Sequence, residues 1–425
     1  MTKVSFFTLG CRANQAETAV LEDVFRQKGF HLGSDGAPAD IVVINSCTVT
    51  GESDHEACRI MKRVRTVNPG VRIAVIGCQA QVQKEKILAL PNVRWVVGTA
   101  HKMRLADIIA DDASLQSRLI VAPIRKAAFT MPIVAEKGRR TRAHLKIQDG
   151  CDNFCAYCEV PYARGRARSR VFEDVMAAGQ ALADAGHQEI VLTGINAGLY
   201  QYEGKGLVDV VKGLERISAL KRIRLSSVEY APWIIDLAGL MRPPHKLCRS
   251  LHIPVQSGCD RILRRMGRRY VRSDAAMLLG ELSQKVPRLL LGTDVIAGFP
   301  GETEKDFEET FDFLKGQPLH YFHVFSYSDR ERARSRSFKG GVPVNVVRAR
   351  ARRLRELGRL KYNEFLLSML GSTAEVLFEY KKDDDWFGHT DNYVTIKTRS
   401  DRDLRNTMVP VKIIEIKADM AIGKI

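Results

Sequence analysis

The sequence predicts an α/β protein in three parts: a doubly wound N-terminal domain, a partial (β/α)6 barrel and a small C-terminal β-barrel. Three observations carry this expectation. Short apolar runs alternate with helical periodicity over the first hundred residues; a second alternating series contains six such runs; and from about residue 372 only short β-rich segments between polar turns remain. The chain has 425 residues, more than the roughly 100–200 of one domain. The expected division is 1–122, a linker at 123–138, 139–371 and 372–425.

In the first part VSFFTLG (4–10), IVVINS (41–46), RIAVIG (72–77) and RWVVGT (94–99) read as strands separated by helices, hence as a parallel sheet with right-handed crossovers. Residues 112–143 lack periodicity and contain the basic run KGRRTR, which reads as a linker or a connecting strand pair. The second series comprises HLKIQ (144–148), EIVLTG (189–194), RIRLSS (222–227), LHIPVQ (251–256), LLLGTDVIAG (289–298) and YFHVFSYS (321–328). Six strands make a partial barrel, since eight would need more chain. An Arg-rich helix over 344–369 leads out of it. TAEVLFEY, YVTIKT and VPVKIIEIK then predict a barrel of about 50 residues, the size of an oligonucleotide-binding appendage.

Hydrophobic residues make up 45% and charged residues 27%, which excludes disordered and collagen-like classes. No apolar run approaches the roughly 18 residues of a membrane span, and MTKVSFFTLGC does not read as a secretory leader, so a cytoplasmic protein with no membrane partner is expected. In that compartment nine cysteines point to metal binding or catalysis before disulfides. Lys and Arg number 66 against 49 Asp and Glu, a net charge of +17. Such an excess favours a polyanionic partner over a surface that merely aids solubility.

Cys151, Cys155 and Cys158 follow the first barrel strand in GCDNFCAYC, a C-x3-C-x2-C spacing. Four-iron clusters normally take four cysteines, so a loop of three leaves one iron open to a substrate or cofactor. A structural zinc site is the competing reading, but zinc ribbons favour paired C-x2-C knuckles. The loop resembles that of the radical-SAM superfamily in spacing and position, and Tyr157 before the third cysteine fits. That resemblance implies S-adenosylmethionine (SAM) on the open iron and a 5′-deoxyadenosyl radical on reduction.

Cys11, Cys47 and Cys78 end three predicted strands, placing them together on the carboxyl edge of a parallel sheet, where ligands bind. Three buried apolar cysteines would be the plain alternative. With TLGCRANQAET (8–18), INSCTVT (44–50), IGCQAQ (76–81), GCDNFCAYCEVPYARGRARSR (150–170), HIPVQSGCDRILRRMGRRY (252–270) and GTDVIAGFPGETEKDFEETFDFL (292–314), essentially the whole chain resembles the radical-SAM methylthiotransferase family. The resemblance implies two 4Fe-4S clusters, SAM used twice, and a C-terminal RNA-binding TRAM domain. It places SAM contacts at the strand ends TGINAG and SSVE, hence at Gly194, Asn196 and Glu229 beside Tyr157, with plain strand-end turns as the alternative. Arg164, Arg166, Arg168 and Arg170 are candidates for a SAM carboxylate or tRNA phosphate, or form a solvated helix start. Cys58, Cys248 and Cys259 match no ligand position and read as structural.

The implied chemistry removes hydrogen from carbon 2 of an adenosine in the tRNA anticodon loop and replaces it with a methylthio group, with an electron-donor protein and a sulfur donor as further partners. After Cys11 the chain reads Arg12-Ala13-Asn14-Gln15-Ala16-Glu17-Thr18, similar to the branch acting on N6-threonylcarbamoyladenosine. The isopentenyl-adenosine branch usually reads G-C-x-M-N and the branch acting on a ribosomal aspartate G-C-P-K-N. A non-catalytic iron-sulfur RNA-binding protein is the alternative of another class. Where the family often has a Pro-rich segment after its sixth strand, this chain has YSDRERARSRS (327–337); Arg330, Arg332 or Arg334 is expected to meet the threonylcarbamoyl carboxylate. Arg348, Arg350, Arg352, Arg353, Arg355 and Arg359 are expected to meet RNA.

Overall fold

The computed structural model describes residues 2–33, 37–112, 114, 116–133 and 141–425. The end of the expected linker and most of the KGRRTR run lie outside the described residues. The N-terminal sheet is parallel throughout, built from β1 (Lys3–Thr8), β2 (His31–Leu32), β3 (Ile41–Ser46), β4 (Arg72–Gly77), β5 (Val93–Val97) and β6 (Arg118–Ile120) in the order β2-β1-β3-β4-β5-β6. Every residue of β3 and β5 is buried, as a sheet covered on both faces requires. The edge strands β2 and β6 escape the sequence pattern because two or three residues carry no periodicity.

Two helices begin just after cysteines at this sheet's edge. Helix α1 (Arg12–Gln27) starts directly after Cys11, and α2 (Gly51–Val67) is capped by Thr50, whose hydroxyl accepts from the Ser53 amide at 3.3 Å.

In the second part β7 (Arg142–Lys146) is followed by a two-residue ladder of β8 (Gln148–Asp149) with β9 (Arg168–Ser169). Then come β10 (Glu189–Thr193), β11 (Arg222–Leu225), β12 (Ser250–His252), β13 (Leu290–Ala297) and β14 (Tyr321–Ser326). They form two parallel sheets, β7-β10-β11 and β12-β13-β14, joined by a bridge between Ile223 and Leu247. The result is a six-stranded partial barrel, open between β7 and β14. Leu145, Ile190, Leu192, Ile223 and Leu225 point outward into the core under the helices. Strand alternation turns Arg142, Lys146, Glu189, Thr193, Arg222 and Arg224 into the lumen. Helix α1 lies along β7 at the open side, and the Val344–Met369 helix lies along β14.

That long helix presents Arg348, Arg352, Arg355 and Arg359 to solvent as one stripe. Arg350 departs from the expected RNA contact: it is buried, with Nη1 2.8 Å from Glu302 and Nη2 2.8 Å from Glu304. Half-buried Arg353 pairs with Glu308 at 2.6 Å. The last part is a closed barrel of β15 (Thr373–Lys382), β16 (Asp385–Thr390), β17 (Thr395–Arg399), β18 (Met408–Lys417) and β19 (Met420–Lys424), ordered β15-β16-β17-β19-β18. The sequence reading missed β16, whose DWFGHT is broken by Gly388, and the five-residue β19.

Candidate metal centres and the lumen between them

The loop carrying Cys151, Cys155 and Cys158 leaves the top of β7. Gly150 has φ +72°, and a Cβ there would stand 2.1 Å from the Arg166 carbonyl, so only glycine admits this turn. The loop is held from outside: the Ala156 amide donates to Met266 O at 2.7 Å, and Ala156 O accepts from the Ser335 amide at 2.8 Å. Arg334 Nη2 donates to Phe154 O at 3.1 Å.

The second set converges from three strand ends. Cys11 is exposed, while Cys47 and Cys78 are buried. Gly10, at φ +88°, would carry a Cβ 2.6 Å from Cys47 Sγ, so its lack of a side chain lets the Cys11 turn reach Cys47. Asn14 explains why the first motif needs asparagine: Nδ2 donates to Leu9 O at 2.8 Å and Ser46 O at 3.0 Å, tying two strand ends together. All six cysteines are free thiols. Burial pushes Cys47 up to about 12 and raises Cys78, Cys151 and Cys158 as well, so a metal must displace protons on binding.

Between the two sets lies a charged seam. Arg164, fully buried, directs Nε to Cys78 Sγ at 3.1 Å, Nη1 to Glu17 Oε1 at 2.5 Å and Nη2 to Asn14. Glu17 also accepts from Lys102 at 2.6 Å and Lys146 at 2.5 Å. Asp149 accepts from Lys146 at 2.7 Å and Arg168 at 2.9 Å. Against burial, these cations, led by Arg164, hold the Glu17 carboxyl well below its usual range, and burial then Arg164 bring Lys102 down to about 8. Four cations face two carboxylates. The excess positive charge beside Cys78, and the Arg268 guanidinium 3.4 Å from Cys155, suit thiolate ligands, so the donor set fits an anionic iron-sulfur centre at each site.

The arginine cluster is therefore corrected. Arg164 and Arg168 belong to the seam, Arg170 pairs with Asp174 at 2.5 Å, and only Arg166 is exposed enough for phosphate. Arg330 is corrected as well: it is buried against Asp54 at 2.7 Å, Thr48 at 2.7 Å and Glu159 at 3.2 Å, clamping α2 to the segment after the cluster loop. Cys248 and Cys259 are buried, the latter 3.2 Å from Asp306, whereas Cys58 lies exposed on α2 and supports no core.

The four expected SAM residues stand at the lumen's top. Glu229 pairs bidentately with Arg268, whose Nη1 is 3.4 Å from the Tyr157 hydroxyl and from Cys155 Sγ. Asn196 Oδ1 accepts from the Gly198 amide at 3.2 Å and the Glu229 amide at 3.4 Å. Gly194 admits Gln148, whose Oε1 would lie 2.9 Å from a Cβ there and which accepts from the Asn196 amide at 2.9 Å. Gln148 and Arg268 were missed, although both sit in or beside the quoted motifs. Buried Thr193 Oγ1 and Ser226 Oγ have no partner among the described residues, which leaves polar atoms for a nucleoside cofactor.

A further wall was also missed. Asp294 Oδ1 meets His252 Nε2 at 2.8 Å and His323 Nδ1 at 3.2 Å, and His323 Nε2 meets the Tyr321 hydroxyl at 2.8 Å. The signal was period-two placement of polar residues on β12, β13 and β14. At the floor the C-terminal barrel's 389–393 turn plugs the lumen, with Arg224 reaching Glu189 at 2.6 Å, Thr390 O at 3.1 Å and Asp391 O at 2.9 Å.

Residues 3–98 match the family model described as uncharacterized protein family UPF0004, and residues 145–314 match the radical SAM superfamily. The chain is 36% identical to the threonylcarbamoyladenosine tRNA methylthiotransferase MtaB of Bacillus subtilis, over 98% of this chain and 94% of that protein. The protein of the same name from Thermotoga maritima is 32% identical over 100% and 99%. A tRNA-2-methylthio-N(6)-dimethylallyladenosine synthase of Carboxydothermus hydrogenoformans is 30% identical over 98% of each. Among solved structures, the radical SAM methyltransferase TsrM of Kitasatospora setae superposes with a TM-score of 0.57 at 16% identity, covering 76% of this chain and 73% of that one.

Proposed function

The chain belongs to the radical-SAM methylthiotransferase family, and from that premise we propose that it converts N6-threonylcarbamoyladenosine at position 37 of tRNA, 3′ of the anticodon, to its 2-methylthio derivative. One observation supports this most: two open three-thiol sets, from two differently folded parts, are locked across a single buried seam by Arg164 beside one polar lumen. Cys151, Cys155 and Cys158 would hold the cluster that binds SAM, and Cys11, Cys47 and Cys78 a second 4Fe-4S cluster. When bound, these groups would supply the C–H cleavage at carbon 2 and the sulfur and methyl that replace the hydrogen.

The chain's own residues do the rest. Arg268, fixed by Glu229, holds a guanidinium beside Tyr157 and Cys155, where its charge would favour a thiolate ligand. Thr193 and Ser226 offer hydrogen bonds to the cofactor's nucleoside, and the His252 and Asp294 wall offers them to a flipped purine. An isopentenyl group would have to desolvate this polar wall without repaying it, which favours the threonylcarbamoyl substituent. An electron-donor protein and a sulfur donor complete the reaction. Among the described residues no helix is long and apolar enough to cross a membrane. The test incubates reconstituted, reduced protein and SAM with tRNA carrying either modification and analyses nucleosides by mass spectrometry. Methylthio product from the threonylcarbamoyl tRNA is expected; product only from the isopentenyl tRNA would overturn the assignment.

A further inference from the structure

Five guanidiniums surround the 389–393 turn at the lumen floor, and four have an acidic partner. Arg142 pairs with Glu379 at 3.0 Å, Arg222 with Glu375 at 3.8 Å, Arg224 with Glu189 at 2.6 Å and Arg249 with Asp391 at 2.6 Å. The fifth, half-buried Arg12, has no carboxylate among the described residues. Its Nη2 donates to the Tyr393 hydroxyl at 2.9 Å, and its guanidinium lies 5.6 Å from the centre of that ring. Arg142 and Arg224 lie over the same ring at 5.3 and 4.5 Å. Burial would raise the Tyr393 phenol, yet Arg142 and Arg12 hold it below its ordinary value, which shows how positive this corner is.

Arg12 also adjoins Cys11, a thiol of the second set, and lies close enough to bias the Tyr321 phenol, the first member of the Tyr321–His323–Asp294–His252 wall. In adenine, carbon 2 and carbon 6 flank the same ring nitrogen. A substituent on N6 that folds over that nitrogen therefore comes beside whatever group delivers sulfur to carbon 2.

We propose that Arg12 receives the carboxylate of the substrate's N6 substituent, with Tyr393 of the C-terminal barrel as the shelf that orients its guanidinium. The assignment rests on the proposed function and deepens it. It relocates carboxylate recognition from the 330–334 loop, where Arg330 is already matched by two acids, to the residue after the first cluster cysteine.

The test uses the reconstituted full chain and anticodon stem-loop oligonucleotides bearing threonylcarbamoyladenosine, its carboxamide analogue, or isopentenyl-adenosine. A charge-assisted hydrogen bond in a half-buried site should make the wild type bind the acid about tenfold tighter than the amide. Arg12→Gln should bind both alike, with the loss appearing in KM, and Arg12→Lys should restore most of the preference. Iron content equal to wild type in both variants reports an intact fold. An acid preference that survives in Arg12→Gln would overturn the assignment. Turnover of the isopentenyl oligonucleotide alone would instead remove the substrate reading, and Arg12's role with it.

Discussion

The two thiol sets are built in opposite ways. Cys151, Cys155 and Cys158 sit within eight residues on one loop, and a single glycine conformation with three backbone anchors shapes them. Cys11, Cys47 and Cys78 come from three strand ends, and their mutual position depends on sheet register, on Asn14 and on a guanidinium from the other part of the chain. The contrast teaches that the loop site depends on its own turn and on anchors from the same part of the chain, while the assembled site depends on the seam between two parts. A protein that must pass sulfur from one site to a substrate activated at the other gains by making the second site conditional on correct docking.

The strongest way to break this comparison is Arg164→Leu. It removes one of the four cations facing Glu17 and Asp149, and with it the only guanidinium described against Cys78. Iron at the Cys11 set should fall far more than iron at the Cys151 set, read as a drop to about half of the wild-type total with the SAM-dependent spectral change kept. Equal loss at both sites would mean that the seam does not favour either.

A smaller effect is expected at the surface. Replacing Arg348, Arg352, Arg355 and Arg359 with Gln should reduce the slope of log tRNA affinity against log salt by up to about three, given roughly 0.7 per phosphate contact on single strands. An unchanged slope would remove the stripe from the RNA interface. This substitution is cleaner than deleting residues 372–425, because the deletion would strip Arg222 and Arg224 of carbonyl acceptors in the lumen floor.

The smallest effect concerns the floor itself. Arg224 outweighs the burial of Glu189 and brings its carboxyl to about 2 from 4.5. A carboxyl depressed in the folded state contributes stability above its unfolded value and loses it as pH falls through the folded one. Urea midpoints should therefore decline between about pH 4.5 and 2, and the gap between wild type and Glu189→Gln should narrow over the same range. A constant gap would contradict the pairing.

Much of the fold and of both thiol sets was legible in the sequence, for identifiable reasons. The loop cysteines announced themselves by spacing, and the second set by following three apolar strands, VSFF, IVVI and IAVI. The seam was not legible, because Glu17, Lys102, Asp149 and Arg164 meet only through tertiary docking, and each alone reads as an ordinary surface charge. Arg330 was misjudged for the same cause: a basic loop reads as exposed until its acids, Asp54 and Glu159, arrive from distant segments. The edge strands β2 and β6 were too short to show a period. Arg12 stood in a motif chosen for its neighbours, and only Tyr393, far along the chain, reveals where its guanidinium is held.

The most direct measurement is iron content after anaerobic reconstitution, compared among the wild type and two triple alanine variants, Cys11/Cys47/Cys78 and Cys151/Cys155/Cys158. Two independent four-iron clusters predict about eight irons per chain in the wild type and about four in each variant. A wild-type content near four, or a triple variant that loses all of its iron, would contradict the two-site account.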